Sequence, residues 1–359
     1  MLTSSKTSDA FLALICLGIG HDPKTLPDTI DWLGVKALAM QHGLSAILLD
    51  GVEKLPAEKR PPKMLTLQWI GEVMQNYEKR YEVYQKTIGE LAEFYNKHGF
   101  KMMVIKGYGL SLNYPKPSHR PCGDIDIWQF GQYEEADKAI SKAFVVNIDK
   151  DHHHHTVFSY KGFSVENHYD FLNVHYGHQN GAFEVVLKEL AKDDTVTVEI
   201  DGQRVYLPSA NLHALFMLRH AMANFASTDM NLRQVLDWAF FVEKQGDKID
   251  WEFVHSVFTK FKMMKFLNCI NTICIEDLGF PAGIFPGVQD DAVTKERVLA
   301  DIISPEFNGK TPRSFMKRVV FKCRRWQANA WKQNLCYGDN RVKAFLVGVW
   351  SHLMKPSMI

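Results

Sequence analysis

Residues 123–128, Gly-Asp-Ile-Asp-Ile-Trp, constrain the fold more than any other stretch of this chain. Side chains on a strand alternate between its faces, so Asp124 and Asp126 share one face while Ile125 and Ile127 turn into a core. Two carboxylates this close repel each other and raise each other's pKa unless a cation stands between them. The segment therefore asks for a strand buried on one side and facing a metal on the other.

The flanking sequence sets that strand in a small α/β unit. Upstream, Ile70, Val73, Met74, Tyr77, Tyr81, Tyr84, Ile88, Leu91 and Tyr95 fall on one helical stripe and predict a long helix over 64–98, its tyrosines packed as core. At 101–107, Lys-Met-Met-Val-Ile-Lys-Gly, the pattern changes to a short buried strand ending in glycine. An amphipathic helix is expected over 133–144 and a third strand over 145–148. Two hairpins follow, over 156–171 about Lys161-Gly162 and over 195–207 about Asp201-Gly202. Residues 1–50 read as short helices, 52–63 as a charged, proline-rich connector, and everything from 209 onward as helical. The expected units are thus a helical region 1–98, an α/β core 99–208 and a helical region 209–359.

Composition excludes more than it assigns. A formal net charge of +1 over 359 residues argues neither for nor against a nucleic-acid partner. Cys16, Cys122, Cys269, Cys274, Cys323 and Cys336 form no CxxC pair, so neither a cysteine zinc site nor a disulfide framework is supported and a reducing, cytoplasmic setting is expected. The apolar run 10–20 follows Asp9 and lacks a small-residue cleavage site, so it reads as a buried helix and not as a leader. No apolar run approaches the ~18 residues of a membrane span.

The order strand, Lys-Gly, short helix, strand with Asp-x-Asp, then a later strand with a third acid resembles the nucleotidyltransferase superfamily that shares its catalytic core with DNA polymerase β. More narrowly, "VIKGYGLSLNYPKPSHRPCGDIDIW" with the later Glu166-Asn167-His168 resembles a bacterial family of uncharacterised nucleotidyltransferases, over most of the chain. The resemblance implies an α+β fold, a small mixed-sheet core between two helical regions. It implies an enzyme that moves a nucleoside monophosphate from a nucleoside triphosphate, ATP first among them, to a hydroxyl acceptor. It also implies two Mg2+ ions, with Mn2+ as the alternative, held by Asp124, Asp126 and Glu166. Asp170 shares the strand face of Glu166, and the family-like acid-x-His spacing selects Glu166.

Lys106, Gly107, Tyr108, Arg120 and Gly123 are the expected nucleotide contacts: backbone N–H groups after Gly107 for the phosphates, Lys106 and Arg120 for their charge. Tyr108 stands where the superfamily usually has glycine or serine. His168, His220, Arg233 and Asp237 are substrate-side candidates; Arg233 and Asp237, four apart, read equally as an intrahelical ion pair. Seven of fifteen histidines lie between 152 and 178, and the run His152–His155 reads as a solvated strand start with adventitious metal binding in preference to a transition-metal site. Residues 310–343 hold ten Lys or Arg and one acid, Asp339; a basic helix packing its aromatics is favoured there over a nucleic-acid surface. Two other readings stand beside the enzyme: a catalytically silent nucleotide-binding or interaction protein, and a toxin–antitoxin or defence nucleotidyltransferase acting on tRNA or protein.

Overall fold

Helices at the N-terminus pack through small residues and stop at defined caps. The computed structural model describes residues 5–174, 179–193, 195–227, 230–287, 291–307, 312 and 314–337. Helix α1 (Ser5–Ile19) lies against α3 (Ser45–Glu53) so closely that a Cβ on Gly18 would collide with the Ile47 carbonyl, and one on Gly51 with that of Leu14. Between them α2 (Trp32–His42) opens on the Asp31 carboxylate, which accepts from Gly34 N at 3.0 Å.

The predicted long helix is α4 (Lys63–Val73) and α5 (Lys79–Lys97) joined through a π-turn, Met74–Glu78. The wider turn re-phases the stripe. Trp69 and Val73 enter one apolar cluster, while Tyr81, Tyr84, Ile88, Leu91 and Tyr95 enter a second. Met74, at the phase break, is left 48% exposed.

Six strands form one mixed sheet in the order β3-β4-β2-β1-β6-β5. They are β1 (Met103–Val104), β2 (Ile125–Trp128), β3 (His155–Tyr160), β4 (Phe163–His168), β5 (Thr195–Ile200) and β6 (Gln203–Pro208). A short α6 (Tyr108–Ser111) follows β1, and α7 (Tyr133–Phe144) follows β2. Both hairpins turn where expected: Lys161 and Gly162 have φ of 49° and 82°, Asp201 and Gly202 of 49° and 75°.

The third strand expected at 145–148 is absent. Val145 instead ends α7 in the left-handed conformation, and the neighbour of β4 on that side is β3. The strand at 101–107 shrinks to Met103–Val104, because Lys106 and Gly107 already turn toward α6.

The remaining helices are α8 (Asn180–Asp193), α9 (Ala210–Ser227), α10 (Leu232–Gln245), α11 (Trp251–Lys260), α12 (Met264–Thr272), α13 (Ala292–Ile303) and α14 (Phe315–Tyr337). A single apolar cluster runs from α1–α4 into these C-terminal helices, while the second cluster fills the space between α5, α7 and the sheet. Helix α14, the described part of the basic stretch, docks through the buried Lys332–Asp301 ion pair and through Gln333, whose amide donates to Ala226 O at 2.9 Å. The rest of 310–343 lies partly outside the described residues, as do His175 and His178. No helix among the described residues is long and apolar enough to cross a membrane.

Candidate active site

Strands β2 and β4 are parallel neighbours, with Asp126 in register with Glu166 and Trp128 with His168. Alternation does the rest: Ile125, Ile127 and Val165 go into the apolar cluster, while Asp126, Glu166 and His168 turn to the opposite face. Ligand atoms of these three residues lie within 4.8 Å of one another.

Asp126 is buried and its charge is met from two sides. Lys106 Nζ lies 2.7 Å from Oδ1 and His168 Nε2 donates to the same oxygen at 3.1 Å. Burial alone would push the Asp126 carboxyl up, but Lys106 and His168 outweigh it and hold it far below the usual range. Burial would likewise lower Lys106 and His168, yet the same carboxylate raises both. Lys106, expected at the phosphates, is thus engaged with Asp126 here.

Asp124 sits one step before β2, exposed at the mouth of the site. Desolvation and then the charge of Asp126 push its carboxyl up, against the pull of Lys106. Its carbonyl accepts from Tyr84 Oη at 3.0 Å, and that hydroxyl also packs onto Gly107, where a Cβ would collide with it. Tyr84, expected as core, is core that also pins the two turns carrying Gly107 and Asp124. Gly107 has φ 50° and ψ −100°, a backbone open to glycine. Tyr108 is buried against Tyr81, and Gly123 is exposed with open space around it.

Asp170 lies past the end of β4, in an ion pair with Lys188, while Glu166 Oε2 is 3.6 Å from His168 Nε2. Burial favours the neutral form of Glu166, but the neighbouring His168, and more weakly His155 and Lys106, outweigh it and keep the carboxyl low.

Arg120, expected at the phosphates, is engaged within the chain itself. It is buried in a bidentate pair with Asp237, at 2.8 and 3.1 Å, and its Nη1 donates to Gly107 O at 3.2 Å. Tyr114 Oη donates to the same Asp237 at 2.7 Å. The ion pair expected within α10 gives way to this one: the Asp237 carboxylate is taken by Arg120 and Tyr114 from the segment between β1 and β2. Lys106, Arg120, His220, Arg233 and Asp237 together line a cavity of about 70 Å³ beside the carboxylates, walled by Phe216 and Trp238. Burial and then Lys106 hold His220 down at about 3.

The histidine run is not a solvated strand start. Its last member, His155, is 8% exposed and opposite His168, and His154 packs between them with ring centroids 4.4 Å and 5.4 Å away. Burial, and then the neighbouring His168, push His154 down to about 2; burial also lowers His155. The signal for these residues was in the sequence. A two-residue loop at Lys161-Gly162 pairs Tyr160 with Phe163, and counting back along both strands sets His155 opposite His168.

A family model described as an uncharacterised nucleotidyltransferase matches residues 28–276. Among solved structures, an antigenic nucleotidyltransferase-like protein from Paracoccidioides brasiliensis is similar over 56% of this chain and 95% of its own, with 12% identity and a TM-score of 0.33. No curated protein matches the chain.

Proposed function

The chain belongs to the uncharacterised nucleotidyltransferase family, and from that premise we propose that it moves a nucleoside monophosphate from ATP, or another nucleoside triphosphate, to a hydroxyl acceptor in a Mg2+-dependent reaction. The observation that carries this reading is the parallel register of Asp126 with Glu166, with Asp124 near enough for the charges of both to raise its carboxyl. The acceptor oxygen forms a bond to the α-phosphorus, the bond from that phosphorus to the α–β bridging oxygen breaks, and pyrophosphate leaves with the electron pair.

The carboxylate oxygens of Asp124, Asp126 and Glu166 are the donors that hard divalent cations prefer; in the metal-free chain Lys106 and His168 pair with Asp126. Bound Mg2+ would supply charge stabilisation to the attacking and leaving oxygens. Glu166 would accept the hydroxyl proton. Lys106, paired with Asp126, would be the cation nearest an incoming phosphate oxygen. Arg120 fixes the Gly107 turn through its carbonyl contact, a positioning role in place of the direct phosphate contact expected from sequence.

Incubation with α-labelled ATP, Mg2+ and a cell lysate, followed by sorting of label into RNA, protein and small-molecule fractions, tests this. Label is expected in one fraction from the wild-type chain and in none from Asp124→Asn. Glu166→Gln should lose roughly 10²-fold or more in rate, the loss of a transition-state contact. Label from Asp124→Asn at half the wild-type level would overturn the proposal. Absence of any transfer together with absence of ATP binding would favour a silent interaction protein.

A further inference from the structure

We propose that His154, His155 and His168, with Glu166 as a fourth ligand, form a binding site for one transition-metal ion of the zinc class, distinct in donor chemistry from the Asp124–Asp126 side. This inference does not rest on the nucleotidyl-transfer reading.

Four observations carry it. A ring nitrogen from each of the three histidines lies within 4.8 Å of the others. The Nδ1 atoms of His154 and His155 are buried without a hydrogen-bond partner among the described residues. A buried polar atom left unpaired is costly, and a bound cation would satisfy both nitrogens at once. His168 Nδ1 donates to Asp170 O at 3.2 Å, the outer-shell arrangement usual for metal-binding histidines, and its Nε2, 3.1 Å from Asp126 Oδ1 in the metal-free chain, would release its proton to take the metal. Finally, Glu166 Oε2 lies 3.7 Å from His155 Nδ1 and 3.6 Å from His168 Nε2. Ligands about 2.0–2.1 Å from a tetrahedral zinc stand roughly 3.4 Å apart; the two Glu166 contacts are already close to that, and the histidine nitrogens, within 4.8 Å of one another, would close in around the ion.

The backbone holds the histidines there. The His154 carbonyl accepts from Tyr169 N at 3.0 Å and Asp170 N at 3.1 Å, which clips the start of β3 to the end of β4. Imidazole donors suit zinc, cobalt and nickel, whereas Mg2+ prefers oxygen and keeps its waters. Glu166 is thus shared between a nitrogen-rich and an oxygen-rich half of one surface.

Cobalt provides a readout independent of activity. The full chain, stripped with chelator, is titrated with Co2+ and its visible absorption recorded, then back-titrated with Zn2+ and, separately, Mg2+. One Co2+ per chain with the intense bands of a four-coordinate site is expected, displaced by Zn2+ and not by excess Mg2+. His155→Ala should weaken binding by at least about 100-fold, the upper part of the range seen when a metal's supporting contacts are lost. His154→Ala, at a less buried position, should weaken it too and covers the case in which His155→Ala does not fold. His152→Ala, whose ring pairs with Asp149, should bind as wild type. Adventitious chelation by the histidine run would show as equal losses in His152→Ala and His154→Ala, and would overturn the proposal. So would the six-coordinate spectrum of an oxygen site, or displacement by Mg2+.

Discussion

At Gly107 one backbone atom carries two constraints. The positive φ excludes most side chains, and Tyr84 Oη occupies the place a Cβ would take. Tyr84 cannot yield easily, since its hydroxyl is tied to the Asp124 carbonyl. Gly107→Ala should therefore cost about 2 kcal/mol or more, read as a shift in urea midpoint; a loss within ±0.5 kcal/mol of zero would mean the turn is looser than described. His42 gives a pH dependence of known sign. Its Nδ1 accepts from Leu232 N and its Nε2 donates to Ile303 O, a neutral ring with both nitrogens used. Burial pushes its pKa from 6.5 down to about 4. Between those values the unfolded chain binds the proton and the folded chain does not, so stability falls as pH falls through that window, by up to about 3 kcal/mol from this group. Denaturant titrations at pH 7 and pH 5 should show a smaller acid loss in His42→Gln than in wild type; an unchanged difference would contradict the account. Residues of this kind were legible in the sequence to different depths. Strand alternation points to Asp126, and alternation together with the family-like acid-x-His spacing to Glu166. The Arg120–Asp237 pair spans 117 positions between a loop and a helix, and no local pattern announces it.

Elements were easier to read where their ends carry special chemistry. The two hairpins were announced by Lys161-Gly162 and Asp201-Gly202, and α7 by its amphipathic period. The false strand at 145–148 shows why the rest was harder. Val145, Val146 and Ile148 have strand-forming side chains, but β3 already pairs with the edge of β4, and Val145 is spent ending α7. Tertiary pairing overrode local propensity there. That leaves a β-branched residue at φ 55° and 91% exposed, an unfavourable conformation with no packing to offset it. Val145→Gly should stabilise the protein by about 1 kcal/mol, since glycine is the preferred residue at such a helix end. Equilibrium urea unfolding checks this, and a lower midpoint in the variant would show that Val145 makes a contact worth more than the strain. The π-turn at 74–78 was invisible for a related reason: the stripe counted from sequence runs through it, and only the two separate cores reveal the change of phase.

On the scale of the whole molecule, the sheet supplies the carboxylates and the helices supply the wall. Helices α9 and α10 bring His220, Arg233 and Asp237 against Lys106 and Arg120, and their own core is continuous with that of α1–α4. His21 Nδ1 lies 2.7 Å from Leu278 O and Cys16 Sγ donates to Asp277 O at 3.3 Å, so the first helix is fastened to residues more than two hundred positions away. Such closure was not legible from periodicity, which shows that a helix has an apolar face but not which helix covers it. The central claim, that Asp124, Asp126 and Glu166 make one metal-dependent nucleotide site, is tested most directly by calorimetric titration of ATP with and without Mg2+. We expect Mg2+ to tighten ATP binding by an order of magnitude or more, about 1.4 kcal/mol, in the wild-type chain and in Asp170→Asn, and this gain to vanish in Asp124→Asn and Glu166→Gln. Equal ATP affinity with and without Mg2+, or a gain that disappears in Asp170→Asn and survives in Glu166→Gln, would contradict it.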